Sequence, residues 1–274
     1  LVVARFMIPM EYLAPMERVT WLGFAVESGL LLIEMVVLVT FFLYLPRIVC
    51  SVKESPLSVI YAFSKAVNEK VKPYPIVRVI CSEMLVMYYS FASWKKKPVT
   101  GEGYFTLHKK SSYIALMVML IHATVLESVG IHWLIHEKSL VLSIIMLVLN
   151  MYTVLFFLAD IQAVRHNPLQ VTEHSLYISM GLMKRMEVKW SEIEEVRDTP
   201  EQCQQKLLKN TIEFIARDFM EVHPDVILKL KRRVPATLAM GLVKHYDQVA
   251  IRVDDPERFK AVLKGKLNRE MEKA

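Results

Sequence analysis

Three windows of the chain are apolar almost without interruption for the length of a bilayer-crossing helix. Trp21 to Leu45 contains only Glu27 and Glu34 as ionisable residues, and about 20 apolar residues suffice to cross a hydrocarbon core. It predicts a first span, ended by Pro46 and Arg47. Tyr113 to Ile135, behind His108-Lys109-Lys110, predicts a second, and Leu140 to Leu158 a third, closed by Asp160 and Arg165. The link between the last two, His136-Glu137-Lys138-Ser139, is so short that they must form an antiparallel hairpin.

Ile76 to Trp94 is also apolar but includes Arg78 and Glu83. It reads as an interfacial helix with Tyr88, Tyr89 and Trp94 at headgroup depth, and a fourth span is the alternative. Leu1 to Met10 is apolar except for Arg5, too short to span and without a signal-peptide cleavage site. It reads as a non-standard start or as the tail of a preceding helix.

From Gln170 the period changes from helical to alternating. Ser175 to Ser179, Arg185 to Trp190, Val226 to Lys231 and Val249 to Val253 predict strands, with turns at Gly181, Pro224-Asp225 and Gly241. Glu201 to Ala216 reads as a helical insertion. Pro256 opens an amphipathic helix capped by Asp254 or Asp255, with Phe259, Val262, Leu263 and Leu267 on one face. The expected architecture is a membrane helical domain over 1–165, with a cytoplasmic or interfacial segment at 47–111, and an α+β domain over 170–274 with an antiparallel sheet and a C-terminal helix.

Composition agrees with a divided molecule. A hydrophobic content of 54% coexists with 23% charged residues, and the charge concentrates outside the apolar windows. The net charge of +6 suggests nucleic acid at first sight. However, the basic residues flank the spans and no recognition motif accompanies them, so anionic lipid is the expected partner and nucleic acid is not. Arg47, Lys53, Lys65, Lys70, Lys72, Arg78, Lys95, Lys96, Lys97, Lys109 and Lys110 all lie between the first and second spans. The positive-inside rule puts them in the cytoplasm, the N-terminus outside and the C-terminus inside. Lys95, Lys96, Lys97, Lys109 and Lys110 are the candidates for contact with lipid phosphate. Cys50, Cys81 and Cys203 are scattered and form neither a disulfide framework nor a zinc motif.

The C-terminal residues carry a resemblance. The stretch 174–196, His-Ser-Leu-Tyr-Ile-Ser-Met-Gly-Leu-Met-Lys-Arg-Met-Glu-Val-Lys-Trp-Ser-Glu-Ile-Glu-Glu-Val, with Pro-Asp-Val-Ile-Leu-Lys-Leu at 224–230 and Val-Asp-Asp-Pro-Glu-Arg-Phe at 253–259, resembles the bacterial pleckstrin-homology-like domain over about 170–268. The resemblance implies a curved antiparallel sheet closed by a C-terminal helix, fused to membrane spans in a bacterial cell membrane. The first half resembles uncharacterised membrane proteins of Gram-positive bacilli, which implies no mechanism.

Ionisable groups inside spans are costly and need a reason to remain. Glu34 in the first span and His122, Glu127 and His132 in the second are candidates for an intramembrane polar cluster. They could form a structural hydrogen-bonded pair, a proton or ligand pathway, or a metal or haem site. The spacing argues against metal: residues five apart on a helix are rotated by about 140°. No cofactor is expected. The C-terminal module has no phosphate loop, nucleophile elbow or zinc motif. The expectation is therefore a non-enzymatic membrane-anchored interaction or scaffolding protein with a protein partner for the C-terminal module. The alternative is a membrane-embedded metal- or haem-dependent oxidoreductase or proton-relay protein.

Overall fold

The computed structural model describes residues 17–70, 74–205, 207–217 and 222–271. The run Leu1 to Met10 and the side chains of Glu27 and Glu34 lie outside what is described. The chain divides into two units, Leu1–Pro56 with Ala62–Val77, and Leu57–Tyr61 with Arg78–Ala274.

The first unit holds α1 (Glu17–Glu54) and most of α2 (Val59–Lys70). The sequence places the end of the first helix at Pro46, but α1 runs through this proline for about two more turns. A helical proline removes one amide donor and costs about 3 kcal/mol. That cost is outweighed here because helix bonding resumes on both sides, and Phe41 and Ile48, seven residues apart on one face, are fully buried.

The second unit takes in Leu57–Tyr61 and then the chain from Arg78 onward, within α3 (Pro75–Met87), which continues through one π turn over Tyr88–Ala92. Helices α4 (Tyr113–His136) and α5 (Leu140–His166) follow as the expected hairpin. The Ser139 hydroxyl caps α5 by accepting from the Leu142 amide at 3.4 Å. Among the described residues three helices are long and apolar enough to cross a membrane: Pro75–Ala92, Tyr113–His136 and Leu140–His166.

The rest forms one mostly antiparallel sheet with a C-terminal helix. Its strands are β1 (Tyr104–Phe105), β2 (Leu169–Val171), β3 (Ser175–Met180), β4 (Lys184–Lys189), β5 (Ile193–Arg197), β6 (Thr211–Phe214), β7 (Val226–Leu238) and β8 (Val243–Ile251). Spatial order is β1-β2-β3-β4-β7-β8-β6, with β5 also pairing β7, and only β6 and β8 run parallel. Strand β7 is the spine: its first half pairs β5 and its second half pairs β4, with a register shift against β8 between Lys229 and Val234. Such a shift bends the strand, and here it leaves Lys231, Arg232 and Arg233 exposed. Helix α7 (Pro256–Met271) closes the sheet, with Phe259 and Leu263 buried among Leu176, Ile178, Val188 and Phe214.

Two elements differ from the pattern-based expectation. The expected helical insertion at Glu201 to Ala216 holds only a short α6 (Pro200–Cys203), and its second half is the parallel strand β6. Ile212 and Phe214 are buried in the core, so sheet pairing overrides a polar-rich, weakly periodic stretch. The sheet also recruits β1 from the segment before α4, and Phe105, Leu107 and Tyr113 join its core.

Candidate functional site

Strand β3 is buried at every position although its sequence alternates. Leu176, Ile178 and Met180 face the sheet core, and the opposite face, Ser175, Tyr177 and Ser179, is covered as well. In the register of the β3–β4 hairpin Ser179 lies opposite Arg185 and Tyr177 opposite Glu187. A polar layer thus lies between the hairpin and helices of the second unit.

One corner of this layer is a carboxylate knot. Asp160 of α5 is 1% exposed. Its Oδ2 accepts from the Tyr113 hydroxyl at 2.6 Å, and its Oδ1 accepts from the Leu182 amide at 2.7 Å. Leu182 follows Gly181, whose φ of +55° makes the tight β3–β4 turn. The turn is therefore clasped onto α5 by a buried carboxylate with donors on both oxygens. Beside it the Tyr89 hydroxyl donates to Asn167 Oδ1 at 3.0 Å, the Asn167 amide donates to the Ala163 carbonyl at 2.6 Å, and the Ser179 hydroxyl donates to the Asn167 carbonyl at 3.3 Å.

The other corner is a cation that forms no ion pair with a carboxylate of the described residues. Arg185 is 8% exposed and lies near the Tyr61 hydroxyl, the Cys81 thiol and the Tyr89 hydroxyl. Burial disfavours its charge more than those neighbours restore it, yet a guanidinium does not deprotonate in a protein. The carboxylates on neighbouring elements are engaged elsewhere: Glu187 by the Ser175 and Tyr177 hydroxyls, both at 2.9 Å, Asp160 in its knot, and Glu83 by the Tyr152 hydroxyl at 2.9 Å. The Tyr61 hydroxyl and Ser58 Oγ are buried without a hydrogen-bond partner. Ser179 is close to Tyr61 and affects its ionisation, but no bond of acceptable geometry joins the two hydroxyls. Burial pushes the Tyr61 phenol well above its ordinary value, so it remains a donor.

Comparison with known proteins returns no matching family model, no similar curated protein and no similar solved structure. The residues themselves have to carry the functional reading.

The sequence-derived candidates lie elsewhere. His122 is exposed, with Nδ1 2.8 Å from the Val118 carbonyl of its own helix. Glu127 is also exposed. His132 Nδ1 meets the Ser143 hydroxyl of α5 at 2.7 Å, and its ring lies 5.2 Å from that of His136. These two histidines line a recess of about 440 Å³ with Ser128, Trp133 and Glu137. His122, Glu127 and His132 are not brought together, and among the described residues no group of three His, Cys, Asp or Glu side chains could hold a metal. Lys95, Lys96, Lys97, Lys109 and Lys110 are exposed, and Lys96 stands 5.2 Å over the Tyr88 ring. Neither Asp160 nor Arg185 stood out in the sequence. Asp160 reads as the polar end of a span and Arg185 as the wet face of a strand. The available signal was Asp160 itself, since a carboxylate at the end of an apolar run needs donors.

A second knot joins the segment before α4 to the start of α7. The Asp254 carboxylate accepts from the amides of Lys109 at 3.0 Å and Lys110 at 2.7 Å, while its own amide donates to the Thr106 carbonyl at 2.9 Å. His108 is buried here, and burial lowers its pKa below 6.5 more than Asp254 raises it, with Lys109 and Arg165 adding to the depression. The native state then binds fewer protons than the unfolded chain below about pH 6.5, so stability falls as pH drops through that value. The melting midpoint of the wild type is expected to decline between pH 7 and pH 5, and His108→Gln should flatten that slope in a pH series of thermal melts. An equal slope in both proteins would assign the loss to other groups.

Proposed function

We propose that this chain is a multi-pass bacterial membrane protein, N-terminus outside, that presents a cytoplasmic pleckstrin-homology-like sheet domain as a non-enzymatic interaction module for a protein partner. The observation that carries this reading is the α4–α5 hairpin and its attachment. Leu126, Val129, Trp133 and Val141 are 67–79% exposed, more contiguous apolar surface than a soluble monomer normally shows water. The end of the same hairpin is clasped to the sheet by Asp160, which makes the sheet domain an extension of the anchor rather than a tethered ball.

The placement of α3 supports three spans over four. Near its start the Arg78 carbonyl packs against Gly241 of the β7–β8 turn, and at its end Tyr89 bonds Asn167 just past α5. Arg78 and Tyr89, about 17 Å apart along the helix, thus both touch the sheet unit, which favours a helix lying along its surface over one crossing a bilayer core of about 30 Å. An in-plane α3 leaves Val79, Met87, Phe91 and Trp94, all exposed, for the acyl boundary and Lys95 to Lys97 for phosphate. Exposed Met183, Met240, Leu242 and Val243, on the two turns that abut the apolar helices, fit the same surface.

Labelling with a membrane-impermeant thiol reagent on intact cells tests the topology. Ser139→Cys should be modified, whereas native Cys50, which is exposed, and Ser51→Cys should not. Cys81 and Cys203 are buried and contribute little background. Modification at position 51 would sink the three-span arrangement. The interaction reading fails separately if in-cell crosslinking of the full chain captures no protein that is lost on removing residues 170–274.

A further inference from the structure

We infer that His132 and His136, in the last turns of α4, form a two-histidine binding site for a zinc ion at the tip of the α4–α5 hairpin. Residues five apart turn away from each other, but residues four apart lie on one helix face. The two imidazole rings are inclined by 52° with centroids 5.2 Å apart. A zinc ion lies about 2.1 Å from an imidazole nitrogen and hence about 3.2 Å from the ring centroid, so two ligating rings 5.2 Å apart subtend about 110° at the metal, the tetrahedral value. Side chains at this spacing meet by default, and what sets this pair apart is that one ring is held. His132 Nδ1 meets the Ser143 hydroxyl of α5 at 2.7 Å, and Ser143 is 1% exposed. A hydroxyl can accept as well as donate, so Nδ1–H can donate to it and leave the Nε2 lone pair for a metal. Ligating histidines almost always engage their other ring nitrogen in this way, which fixes the tautomer and the orientation of the ring.

The recess that both histidines line leaves space for the rest of the coordination sphere. Its volume is about 440 Å³, and Ser128, Trp133 and Glu137 are among its other walls. Glu137 does not complete a three-residue ligand group with the pair. The chain therefore supplies two ligands, and the other two positions of a tetrahedral zinc stay open to water or to a donor atom of an outside molecule. Imidazole nitrogens select against calcium and magnesium, which take oxygen ligands. Square-planar copper(II), with its ligands at right angles, would bring the two centroids to about 4.5 Å. In the topology proposed above the hairpin tip faces outward, so the zinc would come from outside the cell. Only that last step rests on the topology.

The test uses the full-length, tag-free protein purified in detergent and stripped with a chelator, with Zn²⁺ and Co²⁺ as probes. The wild type is expected to take up one zinc per chain and, with Co²⁺, to show the intense visible bands of tetrahedral coordination. His132→Ala and His136→Ala should each abolish those bands and weaken zinc binding by more than the about 10-fold that loss of a supporting group alone costs. His122→Ala, on the same helix, should bind as the wild type does. Ser143→Ala keeps both ligands, so the bands should persist while affinity falls about tenfold. An unchanged affinity in Ser143→Ala would overturn the positioning role of that hydroxyl. Equal zinc affinity in wild type, His132→Ala and His136→Ala would overturn the site, as would Co²⁺ spectra of the octahedral type in all three. Half a zinc per chain with zinc-dependent dimerisation would overturn the open positions, a second copy then supplying two more histidines. Metal binding is read on the isolated protein and sidedness by thiol labelling, so either can fail without the other.

Discussion

Gly181→Ala is expected to lower the melting midpoint of the full-length protein by about 6–12 °C, corresponding to about 3 kcal/mol at the ~2–4 °C per kcal/mol typical of chains near this size. Two costs add. A left-handed backbone at φ +55° disfavours any Cβ, by about 1–2 kcal/mol. The new methyl would also fall on the Asp160 carboxylate, 2.7 Å from Cγ and closer still to Oδ1, so either the turn or the carboxylate must move. If the carboxylate moves, Tyr113 and the Leu182 amide lose their acceptor in a buried place, at about 1–3 kcal/mol for each unsatisfied group. Gly265→Ala in α7 is the control, since its Cβ would meet nothing within 4 Å. It should be neutral or stabilise by up to about 1 kcal/mol. Equal melting for both variants would show that the β3–β4 turn is not clasped to α5 as described.

Phe259→Ala should cost about 3–5 kcal/mol, the range for deleting a fully buried aromatic side chain, and should release more than the C-terminal helix. Phe259 is 0% exposed and packs edge-on against Phe105, ring centroids 5.2 Å apart. Phe105 belongs to β1, at the edge of the sheet, and Arg258 stands 5.0 Å from its ring centroid while bonding the Gly101 and Glu102 carbonyls. Truncating Phe259 therefore empties the space against which β1 is held. Limited proteolysis in detergent should show new cleavage at 97–110 together with earlier melting. Phe259→Met, which fills much of the volume, should cost about 1 kcal/mol and leave that segment protected. Cleavage confined to α7 would mean that β1 holds its place without it.

The sequence alone determined the features that depend on local periodicity and on burial of a continuous stretch. Three of the four ends of the α4–α5 hairpin appear within one residue of expectation, because an unbroken apolar run of this length has few stable alternatives to a helix, whereas α5 continues past the expected Leu158 to His166. Strands β3 and β4 and the helix starting at Pro256 also follow from alternation and capping chemistry. What the local pattern could not supply was which surface would cover which. Tyr104-Phe105 is too short to announce a strand and becomes one only because β2 offers it an edge. Thr211 to Phe214 is drawn into parallel pairing by β8, which a helical reading of 201–216 could not foresee. Arg185 and Glu187 alternate with core residues as solvent-facing positions do, and the period is the same whether water or a helix lies above them. The tertiary structure decided that Arg185 is covered while Glu187 stays exposed. It thereby converted Asp160 from the polar end of an apolar helix into the clasp of a turn, and Arg185 from a surface charge into a largely buried one, because low surrounding polarity makes each met or unmet bond count for far more than it does in water.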